Sequence, residues 1–189
     1  MKTAEFNELL HSKRISVFTL SDASRLIGKP RRYASLFLSR DKAVKMAGRG
    51  LYYTGDATEY EVASATLVPS YISLISALRF HNLTEQIPNI MYLVSYKRHR
   101  PLPDIDGYRL EFIAVKKSMF YGYEKSDGAM VATPEKAVLD MLYLRRFIEY
   151  ADEAIESGKV DKKRLMAYAA MSRDEKLAHE VKERLSGRG

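Results

Sequence analysis

The stretch TAEFNELLHSKR sets Phe6, Leu9 and Leu10 at helical spacing among polar residues, which predicts a first amphipathic helix. VFTL follows as a short β-branched and aromatic stub. In SDASRLIG, Leu26 and Ile27 face inward, Ser21 is placed to cap, Asp22 sits favourably in the first turn, and Gly28 ends a second helix. After only Gly28 and Lys29, PRRYASLFLSR opens on Pro30, which suits a first helical turn. It carries Tyr33, Leu36 and Phe37 on one stripe, and this pattern assigns Leu36 and Phe37 to the core. AVKMA then alternates, with Val44 and Met46 pointing one way, GRG turns, and LYYT returns as a strand, with Leu51 and one tyrosine closing the core. Helix, stub, helix, helix, hairpin is the order of a winged helix-turn-helix.

The texture changes past Asp56. GDATEYEVAS reads as a polar, partly helical connector, and PSYISLISALRFHNL as one apolar-rich helix after Pro69, with Ser70 as its cap. IMYLVSY and YRLEFIAVKKSMFYGY read as strands separated by the turn PLPDIDG. ATPEKAVLDMLYLRRFIEYADEAI reads as one long helix with Thr133 as cap and Pro134 at its first position. Two more helices follow, DKKRLMAYAAM capped by Asp161 and SRDEKLAHEVKERL opened by a Ser172 and Glu175 capping box. The fold class expected is α+β: a winged helix-turn-helix over residues 1–56, then a small α/β domain with C-terminal helices over residues 57–189.

Composition narrows the functional classes. The hydrophobic share of 46%, with 13 Tyr and 7 Phe, is ample for a packed core and excludes a disordered chain. No apolar run approaches the ~20 residues of a membrane helix and the start MKTAEFNELLHSKR lacks a secretory signal, so a cytoplasmic protein with no membrane partner is expected. The absence of cysteine excludes disulfides and thiolate metal sites. The net charge of +7 is concentrated: residues 1–56 hold eleven Lys or Arg against five acids, and the remainder holds twenty against nineteen. Such a segregated excess is the footprint of a polyanion-binding surface.

The sequence offers little catalytic chemistry. His11, His81, His99 and His179 are scattered, GKP at Gly28 lacks the Ser or Thr and the upstream glycine of a phosphate loop, and there is no G-x-S-x-G elbow. Asp104 or Asp106 ahead of LEFIAVKK suggests a metal-dependent nuclease of the PD-(D/E)xK type, but the residue two beyond Glu111 is Ile113, where such a site needs lysine. The expectation is a non-enzyme with no cofactor and no metal. DNA contact falls on Lys29, Arg31, Arg32, Tyr33 and Ser35 at the front of the third helix, whose N-terminal residues reach bases in a helix-turn-helix. Arg40, Lys42 and Lys45 suit phosphate contacts, and Arg49 and Tyr52 belong to the hairpin, with Arg49 at its tip. In the second half, the basic run Lys97, Arg98 and Arg100 and the aromatics Phe120, Tyr121 and Tyr123 are candidates for a protein-partner surface, with a solvated loop and an edge-strand core as the plainer readings.

Together FTLSDASRLIG, GRGLYY, PSYISLISALRFHNL and VATPEKAVLDMLYL resemble the AbiEi-type antitoxins of type IV toxin–antitoxin systems, over about Phe18 to Leu144. The resemblance implies an N-terminal winged helix that binds operator repeats in double-stranded DNA and represses its own operon. It also implies a C-terminal domain opposing a nucleotidyltransferase-like toxin. Where the family commonly enters the hairpin through a glycine, this chain has Lys42 and Ala43. A stand-alone repressor without a toxin partner is the alternative.

Overall fold

The computed structural model describes residues 1–48, 50–86, 89–99, 104–105 and 107–187. Its first helix, α1 (Thr3–Ser12), buries Phe6 and Leu10. The stub is strand β1 (Val17–Thr19), and α2 (Leu20–Ile27) follows at once. Thr19, not Ser21, is the cap. Its Oγ1 accepts from the Asp22 amide at 3.2 Å, and the Asp22 carboxylate accepts from the Thr19 amide at 2.9 Å, a reciprocal capping box. Gly28 ends α2 at φ 68°, the left-handed conformation that glycine adopts without a Cβ clash.

Helix α3 (Arg31–Leu38) starts one residue past Pro30, which caps it from outside. Its buried residues are Ala34 and Leu38. Phe37 flanks them, edge-on to Phe6 with ring centroids 5.5 Å apart. The expected core place of Leu36 is therefore corrected: it lies about 200° around the helix from both Ala34 and Leu38 and is 54% exposed. Strands β2 (Val44–Gly48) and β3 (Leu51–Thr54) form the expected hairpin, with a register shift between Met46 and Gly48. The sheet order is β1-β3-β2, all antiparallel. One core gathers Phe6, Leu10, Phe18, Ala23, Ala34 and Leu38, with Val44 and Tyr52 packed against it.

The stretch read as a connector is helix α4 (Glu59–Thr66), which buries Val62, Ala63 and Ser64. It is a joint. Ala47 and Tyr53, from the other face of the hairpin, belong to the larger core that includes Val62 and Ala63. Glu61 caps α4 through the Thr58 amide at 2.8 Å and accepts from Ser16 Oγ at 2.7 Å, so one carboxylate ties α4 to the segment before β1.

PSYISLISALRFHNL is not one helix. Tyr71–Ile72 forms strand β4, and α5 (Leu74–Phe80) begins only after Ser73. Strands β5 (Ile90–Ser95), β6 (Arg109–Ala114), β7 (Tyr123–Ser126) and β8 (Ala129–Ala132) complete a sheet of order β6-β5-β4-β8-β7. The expected strand from Tyr108 onward stops at Ala114, and a 3₁₀ turn at Lys117–Met119 intervenes before β7. β7 and β8 pair antiparallel around Asp127 (φ 45°) and Gly128 (φ 80°), the two positive-φ positions of a tight hairpin.

The long C-terminal helix is also divided. α6 (Pro134–Leu144) has Thr133 as its cap and Pro134 at its first turn, as expected, and is buried from Glu135 to Leu142. Arg145 and Phe147, both at φ 57°, break the chain before α7 (Ile148–Glu156). Helices α8 (Lys162–Met171) and α9 (Glu175–Ser186) follow. Asp161 caps α8 as expected, but Asp174 replaces Ser172 as the cap of α9, accepting from the Leu177 amide at 3.1 Å. The fold is mixed α+β with two sheets and nine α-helices among the described residues. No helix among them is long and apolar enough to cross a membrane.

Candidate nucleic-acid interface

The turn between α2 and α3 is held by its own hydrogen bonds. The Gly28 amide donates to Arg25 O at 3.2 Å, the Lys29 amide to Ser24 O at 3.2 Å, and Ser24 Oγ to Lys29 O at 2.6 Å. These bonds set the direction in which α3 leaves. Its outward face presents Arg31, Arg32, Tyr33 and Ser35 to solvent, with Lys29 in the turn before it and Arg40 and Lys42 just past its end.

Four of the five acids of this region are engaged elsewhere, and the fifth, Glu8, is exposed on α1. Glu5 accepts from the Lys2 amide at the start of α1 (3.0 Å), and Asp22 caps α2 and pairs with Arg25 at 2.5 Å. The bonds from Thr19 hold the Asp22 carboxyl below its usual range, with Arg25 adding to them. Asp41 is buried, accepting from Asn7 Nδ2 at 3.2 Å and the Ala43 amide at 3.0 Å. Asp56 lies 3.6 Å from His11. Among the described residues, none of Lys29, Arg31, Arg32, Arg40 and Lys42 forms an ion pair. The result is a row of uncompensated cations on and beside one helix.

Lys45 and Tyr52 of the hairpin are placed apart from this row. Alternation along β2 puts Lys45 on the face opposite Val44 and Met46, with its Nζ 5.8 Å from the Tyr53 ring centroid. There it lines a cleft of about 770 Å³ with His11, Arg14, Lys42, Asp56 and Glu61, a surface of mixed sign. The Tyr52 ring is stacked on Phe18 at 6.0 Å, so its body is part of the core. Arg49 lies outside the described residues.

In the second half, parallel pairing of β5 and β6 sets Ser95 beside Ala114. This brings exposed Lys97 and Arg98 to the same sheet end as exposed Lys116 and Lys117. Lys97 Nζ sits 5.7 Å from the Tyr96 ring, and partial burial, then Lys97, hold His99 below its ordinary range. Arg100 lies outside the described residues. The half-buried aromatics Phe120, Tyr121 and Tyr123 pack against their own chain. Tyr123 stacks on buried Tyr71 at 4.6 Å, Phe120 packs on Tyr71 at 5.2 Å, and Tyr121 donates its hydroxyl to Tyr168 O at 2.5 Å.

Those rings surround a feature the sequence reading passed over. Lys136 and Asp140, four apart on α6, form an ion pair with both side chains at 0% exposure. Tyr71 and Ser73 donate their hydroxyls to the other Asp140 oxygen at 2.9 and 2.8 Å. Lys136 Nζ also lies 4.8 Å from the Tyr121 ring. Burial, and then the Asp140 carboxylate, push the Tyr71 and Tyr121 phenols well above their usual range. This cluster fixes β4 and the segment before β7 onto α6. The spacing of Lys and Asp in an otherwise apolar run was the available signal.

For the nuclease alternative, Glu111 accepts from Arg146 at 2.5 Å, Asp104 is exposed, and Asp106 lies outside the described residues. No group of three His, Asp or Glu among the described residues could hold a metal ion.

No family model matches the chain, and no curated protein matches it. Among solved structures it is similar to the crystal structure of the RV2827C protein from Mycobacterium tuberculosis, at 14% identity and a TM-score of 0.57, covering 96% of this chain and 80% of that one. At that identity the likeness is one of fold: nearly the whole α+β chain follows the path of a known structure.

Proposed function

We propose that this chain is a sequence-specific double-stranded DNA-binding transcriptional repressor, in which residues 1–56 act as a winged helix-turn-helix. In this reading α3 is the recognition helix and the β2–β3 hairpin the wing. The observation that carries it is the row Lys29, Arg31, Arg32, Arg40 and Lys42, without an ion pair among the described residues, while Glu5, Asp22 and Asp41 serve caps and a buried bond. A polyanion supplies what the fold withholds. Arg31 and Arg32, at the front of α3, suit guanine edges, where a bidentate contact contributes about 1 to 3 kcal/mol of discrimination. Lys29, Ser35, Arg40 and Lys42 suit phosphates, which add affinity without sequence information. Repression follows from occupying operator repeats that the polymerase needs.

Gel shifts of the full chain on the DNA upstream of its own coding sequence test this. If Lys29, Arg40 and Lys42 each neutralise a phosphate, affinity falls about 40-fold between roughly 50 and 200 mM salt. Absent binding, or binding indifferent to salt, overturns the reading. The resemblance to AbiEi-type antitoxins adds a second partner, a nucleotidyltransferase-like toxin opposed by residues 57–189. Co-expression with the adjacent reading frame tests that part. A toxic neighbour neutralised by this chain supports it, and an innocuous neighbour leaves a stand-alone repressor.

A further inference from the structure

Leu36 lies in the middle of the outward face of α3 with 54% of its surface in water, and Tyr33, one turn earlier, is 47% exposed. On a helix surface, residues three and four apart are neighbours. Leu36 is therefore flanked by Arg32 and Tyr33 on one side and by Ser39 and Arg40 on the other. Nothing in the small core claims it, since Ala34 and Leu38 fill the buried stripe.

We infer that Leu36 reads thymine, packing on the 5-methyl group that this base alone presents in the major groove. This rests on the DNA-binding reading and names the base chemistry of that site. The surroundings select the occupant. An apolar protein surface docked on Leu36 would have to desolvate Arg32 and Arg40, neither of which has an acidic partner among the described residues, and burying uncompensated charge is costly. The major groove offers all three residues what they lack. The floor has guanine acceptors and a thymine methyl, and the phosphates on the groove's rims serve a guanidinium group that does not reach a base.

The test uses the full chain and the fragment upstream of its coding sequence, amplified once with dTTP and once with dUTP, so that the two DNAs differ only in the 5-methyl groups. Wild type is expected to bind the thymine fragment about fourfold more tightly for each methyl that Leu36 buries. Leu36→Ala, at an exposed position, should fold normally by circular dichroism, keep the salt slope of wild type and bind the two fragments almost equally. A wild-type preference that survives in Leu36→Ala, or no preference in wild type, overturns the inference. So does loss of self-association by Leu36→Ala in sedimentation velocity with the thymine preference retained, which would make this face a contact between copies. Failure of wild type to bind either fragment is instead the failure of the DNA-binding reading itself.

Discussion

Lys136→Met removes one charge from the buried cluster and little else, because methionine nearly matches the length of the lysine stem. In the wild type, Asp140 accepts from the ammonium, from Tyr71 and from Ser73, and Lys136, Ser73, Tyr71 and Asp140 are all fully buried. The variant leaves the carboxylate with two neutral hydroxyl donors and no cation. Breaking a buried pair from one side costs about 3 to 5 kcal/mol. The two surviving hydrogen bonds of 2.8 and 2.9 Å place this case at the lower end, about 3 kcal/mol. Asp140→Leu should cost more, since it strands the ammonium and leaves the Tyr71 and Ser73 hydroxyls without their acceptor. The double variant Lys136→Met with Asp140→Leu removes both charges, so its cost should fall short of the sum of the singles by about 2 kcal/mol or more. Urea unfolding of the full chain at pH 7, followed by far-ultraviolet circular dichroism, reads all three values. A cost below about 1 kcal/mol for Lys136→Met, or strict additivity, would refute the reasoning, because either result means the pair is hydrated in solution.

Thr19→Ala deletes the cap of α2 and should cost about 1 kcal/mol at pH 7. Asp22 titrates below its ordinary value when folded, so the stability it contributes is present above about pH 4 and lost as pH falls through its lowered folded value; thermal melts of the two proteins should converge in acid. Tyr71→Phe should cost about 1 to 2 kcal/mol at neutral pH. The raised Tyr71 value means that its contribution holds below about pH 10 and is lost as pH rises toward the folded value, so the variant should show a shallower alkaline decline in denaturation midpoint than wild type. Gly122→Ala places a side chain at φ +73° with its Cβ 3.0 Å from the Lys136 stem and from the Tyr168 ring. Left-handed strain alone is about 1 to 2 kcal/mol, so chemical denaturation should report at least that loss.

What could be read from sequence was local. The Gly28 end of α2, the two hairpin strands and the Thr133–Pro134 start of α6 all follow from neighbours within a few residues, and all appear where the pattern puts them. The failures are tertiary. PSYISLISALRF is apolar at almost every position, so its period shows no face, and only pairing with β5 and β8 turns Tyr71–Ile72 into a strand. Arg145 and Phe147 adopt positive φ without the glycine that would have announced a break. Asp127–Gly128 did announce its hairpin and was passed over. At the candidate interface, the cations of α3 were legible as charge. That Asp41 was committed to Asn7 and Asp22 to Thr19 and Arg25, and that Leu36 faced water, needed the fold.

Paired and unpaired cations on this chain should respond differently to removal, and this separates stability from binding. Beyond residue 56, three arginines are matched to another element: Arg146 to Glu111, Arg145 to Glu180, and Arg184 to Asp152, with Glu180 of its own helix as a second partner. Removing one of these arginines takes away a partner on another element, and the Arg184 cluster would lose two contacts at once. The row on α3 has no such partners, and its members repel one another across one or two helical turns. Arg31→Ala, Arg32→Ala or Arg40→Ala should therefore change stability by no more than about 0.5 kcal/mol in either direction. Each should nevertheless reduce the salt slope of DNA binding by about one if it contacts phosphate, or relax base preference if it contacts guanine. A variant in this row that unfolds the protein would show that its cation is matched after all, and the central premise of the proposed interface would fall with it.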